Sequence, residues 1–401
     1  MKVLHVYRTY FPDPPGGLQE AIRQIAMATQ RLGADPTIFT LSPSPHPTKL
    51  DIDGIPVVRS RSWAELWSCN LGGWDAIQTF RELAQQTDII HYHFPWPYAD
   101  LLNQFAPRQK AKVMTYHSDI VRQRWIGAAY QPGLRSMLNS MDRIVATSEN
   151  YFKTSAVLAD PAWRDRVQVI PLGIKDQALD SPKHETSNHC DIFHKLGLSA
   201  DEPYFLFIGV LRYYKGLRYL IQSAANVPAK IVVVGAGPDL DLLADKASAA
   251  GNTNVVFAGM TNVKNKFALL KRCLALVLPS HRRSEAFGMT LVEASMFAKP
   301  MITCEIGTGT SFVNLHNKTG LVVPPESSQA LAESMNTLLK NESLRQRMGQ
   351  AARQRYESLF NSEVVGQAYW SVYQDLLQSK QSQKRPTDTL NSASSSIQSH
   401  P

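Results

Sequence analysis

The sequence predicts an α/β protein made of two doubly wound domains that face a cleft. Three observations predict it. Short apolar, β-branched runs alternate with helix-periodic segments along the chain, the pattern of parallel strands covered by helices on both faces. The alternation runs from Val3 to Ile170, stops, and restarts at Phe205. The stop, Asp176 to Glu202, is polar and carries little periodicity. The 401 residues suffice for two domains of ordinary size, and 44% hydrophobic residues allow a core in each.

The first series places strands at Val3–Tyr7, Thr37–Leu41, Pro56–Arg59, Ile89–His93, Val113–His117, Ile144–Thr147 and Val167–Ile170. The second places them at Phe205–Gly209, Ile231–Gly235, Asn254–Phe257, Leu274–Pro279, Met301–Cys304 and Leu321–Val323. The expected domains are therefore 1–175 and 203–361, joined by a linker at 176–202. Residues 328–378 read as mostly helical. The stretch 378–401 is Ser/Gln-rich and weakly apolar, so it is expected to be disordered.

Bulk properties narrow the class of protein. No apolar run approaches the roughly 18 residues of a membrane span. The N-terminus reads as a strand rather than a signal peptide, because His5 and Arg8 interrupt any apolar stretch. The four cysteines are scattered without a C-x-x-C pair, which suits a reduced, cytoplasmic protein. A net charge of +8 fits either a peripheral enzyme at the inner face of a membrane or simply a basic soluble protein, and both stay open. There is no Arg/Lys block with interleaved aromatics, so no nucleic-acid partner is expected.

The most informative stretch is Glu285-Ala-Phe287-Gly288-Met289-Thr290-Leu-Val-Glu293. A buried strand precedes it and a helix follows from Thr290. Glu285 then sits in the strand-to-helix loop, and Glu293 lies in the helix about 7–8 Å along the axis from Gly288. Gly288 lets backbone approach a ligand. The helix start offers unpaired N–H groups and a partial positive charge, which suit a phosphate. An acidic residue favouring a helix dipole explains the same Glu residues without a ligand. A second loop, Gly209-Val-Leu-Arg212-Tyr-Tyr-Lys215-Gly216, also joins a strand to a helix and brings two cations. Fixed cations there would stabilise charge on a leaving phosphate, with Arg gripping it bidentately and Lys acting as a point charge.

Weaker signals complete the set. Gly16 and Gly17 follow the first strand and depart from the G-x-G-x-x-G dinucleotide fingerprint. Gly235-Ala-Gly237 is another glycine turn at a strand end, and it lacks the third glycine that a nicotinamide-dependent enzyme would need. His117 closes a strand where side chains point into the crevice of an α/β sheet; a loop-capping histidine accounts for it equally. His91 and His93 alternate on one strand, but a metal site needs a third ligand and none is evident.

Together, Glu285 to Ala294, Lys299-Pro300-Met-Ile-Thr-Cys-Glu305 and Thr319-Gly320-Leu-Val-Val-Pro324-Pro325 resemble the C-terminal signature of retaining glycosyltransferases of the GT-B type, in the large family four. The resemblance spans Met1 to about Leu377. It implies two Rossmann-like domains, and a last helix, about 362–377, that crosses back onto the first. It implies catalytic roles for His117, Lys215 and Glu285, with Glu293 on the ribose and Gly16, Gly17, Gly235, Gly237, Phe287, Gly288, Met289 and Thr290 around the donor. Glu20 becomes an acceptor-side candidate, although an ordinary first-turn helical glutamate accounts for it more readily. The family's usual arginine position is Val210 here, so Arg212 takes that role only if its loop lets it reach the same phosphate. The Arg212-Tyr-Tyr-Lys215-Gly segment is similar to bacterial O-antigen mannosyl- and rhamnosyltransferases. The resemblance therefore implies a nucleotide sugar donor, GDP-linked in that subgroup with UDP still open, and a glycan or lipid-linked acceptor. It implies neither metal nor cofactor. A non-catalytic carbohydrate-binding protein is the rival reading, and it would not require Lys215 and both glutamates to converge.

Overall fold

The computed structural model describes residues 1–13, 16–66, 69–120, 124–178, 190–199 and 201–384. Among them, two sheets organise the chain. The first contains β1 (Lys2–Val6), β2 (Asp35–Ser42), β3 (Lys49–Ile52), β4 (Ile55–Leu66), β5 (Cys69–Gly72), β6 (Ile89–Phe94), β7 (Ala111–Tyr116), β8 (Arg143–Ala146) and β9 (Val167–Val169). Its order is β3-β4-β2-β1-β6-β7-β8-β9, with β5 paired to β4. The second contains β10 (Tyr204–Ile208), β11 (Lys230–Val234), β12 (Val255–Gly259), β13 (Leu276–Leu278), β14 (Met301–Cys304) and β15 (Gly320–Val323), in the order β12-β11-β10-β13-β14-β15.

The second sheet is wholly parallel, and the first is parallel except where β3 and β5 meet β4. Central strands β6, β7 and β10 are buried along their whole length. That is why β10 reads as a continuous apolar run, whereas β6 and β7 carry buried polar residues at His91, His93, Lys112 and Thr115. The α/β class with two doubly wound sheets stands as expected. Strands β3 and β5 were not expected. The β3–β4 hairpin turns through Asp53-Gly54, both at positive φ (57° and 74°), the turn that an Asp-Gly pair favours.

In each sheet the strand order reverses beside one central strand. In the first, β1 lies between β2 and β6; in the second, β10 lies between β11 and β13. Loops leaving the carboxyl ends of strands at such a switch point diverge and open a crevice. The segments that follow β1, β10 and β13 carry most of the residues singled out above, with His117 after β7 and Gly235 and Gly237 after β11.

The chain crosses between the lobes twice. Ile174 donates its N–H to the Phe360 carbonyl at 3.0 Å, and the Tyr356 hydroxyl donates to the Ile174 carbonyl at 2.9 Å. After a π-turn at Tyr356–Phe360 comes the helix Ser362–Lys384. It lies on the first lobe, where Val365, Tyr369, Val372, Tyr373 and Leu376 pack with Val3, Ile25, Ile89, Val113 and Val145. It runs seven residues beyond Leu377, through 378–384 of the tail expected to be disordered; residues 385–401 lie outside the described ones. Within the linker 176–202, a short helix forms at Cys190–Lys195, and 179–189 and 200 are outside the described residues.

Candidate active site

Lys215 and Glu285 meet. They leave neighbouring strands, β10 and β13, and their ammonium and carboxylate form an ion pair with side chains only 12% and 10% exposed. Ser280 donates a further hydrogen bond to the same carboxylate oxygen at 3.1 Å. Burial pushes the Lys215 pKa down, but the Glu285 carboxylate and the Tyr214 phenol more than offset it and hold it above the ordinary lysine value. Gly216 makes the turn possible. Its φ is 73°, and any side chain there would overlap the Pro279 carbonyl. Arg212 stays exposed three residues earlier.

Gly288 caps the helix Met289–Met296 at φ 88°, a conformation glycine adopts freely. Across the cleft Gly16 caps the helix Gly17–Arg31, with its N–H donating to Gln19 Oε1 at 3.0 Å. A Cβ built on Gly17 would stand 3.7 Å from Met289 Cγ. The first turns of two helices, one from each lobe, therefore meet here, and a helix start carries N–H groups without intrahelical partners. Thr290 is partly exposed in that turn. Phe287 is buried, with its ring edge-on to Phe360 at 6.2 Å, which leaves only its backbone for a ligand. Pro14 and Pro15, beside the first glycine turn, are outside the described residues.

Glu293 does not join the Lys215 cluster. One carboxylate oxygen accepts from Lys266 at 2.6 Å, and the other is buried without a partner among the described residues. Gly235 and Gly237 serve packing: a side chain at either would overlap the backbone carbonyls of Gly209 and Leu211. Glu20 is engaged by its own helix, with Arg23 at 3.3 Å and Gln24 at 2.7 Å.

His117 stands just past β7, and it is one of a row. His5 Nδ1 lies 3.1 Å from His93 Nε2, and His93 Nδ1 lies 3.1 Å from His117 Nε2. His91 stacks on His93 with ring centres 4.4 Å apart, and its two nitrogens contact Tyr373 and Thr115, each at 2.7 Å. Burial pushes the pKa of His5 and of His117 down to about 3 and those of His91 and His93 well below the ordinary value. The third imidazole that the sequence did not reveal beside His91 and His93 is thus His5, with one nitrogen of each within 4.8 Å of the others. A metal there would compete with hydrogen bonds already made by His91 and His93.

Comparison with known proteins identifies the family of the chain. Residues 16–173 match the model of the glycosyl transferase 4-like domain, and residues 190–355 match that of glycosyl transferases group 1. The chain is 39% identical to O-antigen chain mannosyltransferase C of Escherichia coli, over 95% of this chain and 100% of that protein. It is 41% identical to D-rhamnosyltransferase WbpZ of Pseudomonas aeruginosa, over 90% of this chain and 93% of that protein. The chain belongs to the GT-B glycosyltransferases. Solved structures share the fold: sucrose-phosphate synthase of Thermosynechococcus elongatus superposes with a TM-score of 0.75 at 20% identity, covering 94% of this chain and 99% of that one. HepE of Anabaena in complex with UDP gives 0.74 at 19%, covering 94% and 100%.

Several groups of this glycosyltransferase escaped the sequence reading. Arg283 reaches from the second lobe to Asp119 of the first at 3.2 Å, and to Thr154 and the Gly307 carbonyl at 2.8 Å each. Asn150 and Ser311 add a contact of 3.0 Å across the same seam. Arg283 follows Arg282 in an unremarkable loop, so only the spatial approach of the lobes reveals it. Lys266 carries no motif either; its partner Glu293 is 27 positions away.

Proposed function

We propose that this glycosyltransferase is a retaining hexosyltransferase that moves a mannosyl or rhamnosyl unit from a GDP-sugar to a glycan or lipid-linked acceptor. The step belongs to surface polysaccharide synthesis and takes place at the cytoplasmic face of the membrane. The observation that carries the reading is the Lys215–Glu285 pair at the switch point of the second sheet, beside the meeting of two helix starts. The choice of sugar follows the mannosyl- and rhamnosyltransferases to which the chain is 39% and 41% identical.

In this reading the diphosphate rests between the helix starts at Gly17 and Met289, close to Lys215. Arg212 reaches it from the rim. The unpartnered oxygen of Glu293 accepts a hydrogen bond from a ribose hydroxyl, which gives a buried carboxylate oxygen the donor it lacks. The bond from the anomeric carbon to the phosphate oxygen breaks, and the nucleoside diphosphate leaves with the electron pair. Lys215 stabilises that growing charge more than it stabilises the intact donor. The acceptor oxygen bonds to the anomeric carbon on the same face, and its proton passes to the leaving phosphate. Glu285 and His117 hold hydroxyls of the sugar. Closure of the seam at Arg283 and Asp119 keeps water from competing.

Thermal-shift screening of GDP-mannose, GDP-rhamnose and UDP-glucose tests the donor, because ligand binding raises apparent stability. The GDP-sugars should stabilise the protein, and product NMR should show the donor's anomeric configuration kept. Stabilisation by UDP-glucose alone, or an inverted product, would overturn the reading.

A further inference from the structure

The row of imidazoles supplies a role that the reaction alone does not require. β1, β6 and β7 are adjacent and parallel, with His5 opposite His91 and His93 opposite Thr115. Side chains alternate along a strand, so His5, His93 and His117 fall on one face. Two N···N contacts of 3.1 Å connect them. With every ring neutral, only two proton arrangements satisfy both contacts. In one, each ring carries its proton on Nε2, and His5 is left with a buried N–H that has no acceptor. In the other, each ring carries it on Nδ1; His5 donates to His93, His93 donates to His117, and His5 keeps a bare Nε2. Among the described residues, His5 Nε2 is buried without a partner in either case. Buried N–H groups without acceptors are the rarer defect, which favours the second arrangement. His117 then presents an N–H from Nδ1, the ring nitrogen not taken up by His93.

We propose that His93, backed by His5, is a positioning residue that fixes the His117 ring in its Nδ1–H tautomer, so that His117 donates a hydrogen bond to an oxygen of the bound sugar. This rests on the proposed function of His117 at the sugar. The bond acts by orientation: a donor fixed on one sugar oxygen holds the anomeric carbon in line between the leaving phosphate oxygen and the acceptor, so its loss is felt in turnover. A second pair of contacts braces the row. His91 stacks on His93 and is held by Tyr373 and Thr115, and Thr115 is held by Tyr369 at 3.0 Å. The helix that crosses back from the second lobe therefore buttresses the row.

The test compares His93→Leu with His93→Gln in the full-length enzyme. The glutamine amide can accept from His5 and donate to His117, whereas leucine can do neither. His93→Leu should lower kcat by about 100-fold, the scale of a small misplacement of a positioned group, with the donor KM changed only a few-fold, and His93→Gln should recover at least about tenfold of that loss. Nitrogen-15 spectra of the donor-free protein, assigned with His117→Gln, should show His117 protonated on Nδ1 in the wild type and a shift toward Nε2 in His93→Leu. A role in packing alone would lower both variants together and leave the tautomer unchanged, which overturns the proposal. So would a wild-type His117 protonated on Nε2. Tight zinc binding abolished by His5→Phe would replace the relay with a metal site and overturn it too. A His117→Ala enzyme with normal turnover would remove the proposed role at the sugar and the proposal with it. The spectrum separates these failures, because it is read without turnover.

Discussion

Replacing Lys215 with alanine removes one half of a nearly buried ion pair. Among the described residues, the Glu285 carboxylate then keeps only the Ser280 hydroxyl at 3.1 Å. Stranding one charge of a buried pair costs about 3–5 kcal/mol. The side chains here retain 12% and 10% exposure, so water reaches the stranded charge and the low end, about 3 kcal/mol, applies. For a cooperative unit the size of the second lobe, each kcal/mol moves Tm by roughly 2–4 °C, which gives a fall of about 6–12 °C. Loss of a fixed cation at the departing phosphate should lower kcat a further 10²- to 10³-fold, by analogy with removing an oxyanion-hole donor. A double variant, Lys215→Met with Glu285→Gln, separates the two effects. Removing both charges relieves the stranded carboxylate, so Tm should return to within a few degrees of wild type while turnover stays low. Scanning calorimetry and initial rates with the stabilising donor measure both. Because Lys215 has its pKa raised above 10.5, the pair's contribution is full below that pH and fades only as pH climbs through the higher folded value. The Tm gap between wild type and Lys215→Ala should therefore be the same at pH 7 and pH 9. Normal turnover in Lys215→Ala, or in the double variant, would refute the argument.

Acid should destabilise the first lobe. Its four row imidazoles have folded pKa values far under 6.5, so below that pH the unfolded chain binds protons that the folded chain does not, and stability falls. Each contributes up to about 1.4 kcal/mol per pH unit, and a Tm unchanged between pH 7 and 5.5 would contradict this. Gly216→Ala should cost about 3 kcal/mol or more, since it adds an overlap with Pro279 to a left-handed backbone. Gly259→Ala, left-handed at φ 67° but open around its Cβ, should cost only about 1–2 kcal/mol by urea denaturation. Glu293→Gln should raise the donor KM roughly tenfold and leave kcat near wild type; an unchanged KM would detach Glu293 from the ribose.

What the sequence makes legible depends on how far apart the cooperating residues sit. Most strands of both sheets are readable because a parallel strand covered on both faces is mainly apolar, and Tyr204-Phe-Leu-Phe-Ile208 or Lys230-Ile-Val-Val-Val234 admit little else. The Lys49–Ile52 strand is not, because it alternates at an edge and is only four residues long; Asp53-Gly54 was its one readable mark. Gly235 and Gly237 show the limit of motif spacing. A glycine kept for a phosphate and a glycine kept because the next loop's carbonyl passes too close look the same in sequence, and here the carbonyls of Gly209 and Leu211 supply a sufficient reason.

The site follows the same logic at longer range. Lys215 and Glu285 are each visible as a charged group in a strand-to-helix loop, but their meeting depends on β13 lying beside β10, and no local pattern specifies which strand becomes a neighbour. The histidines carry the point furthest. The alternation in His91-Tyr-His93 and in Thr115-Tyr-His117 already puts polar groups on one face of two strands. An isolated buried imidazole would be costly there. What makes the face affordable is a neighbour strand bringing His5, together with Tyr369 and Tyr373 arriving on a helix more than 250 residues later. The polar row in the first lobe is thus satisfied only when the chain has crossed to the second lobe and returned. Its hydrogen bonds therefore tie the fold of one lobe to the completion of the whole chain.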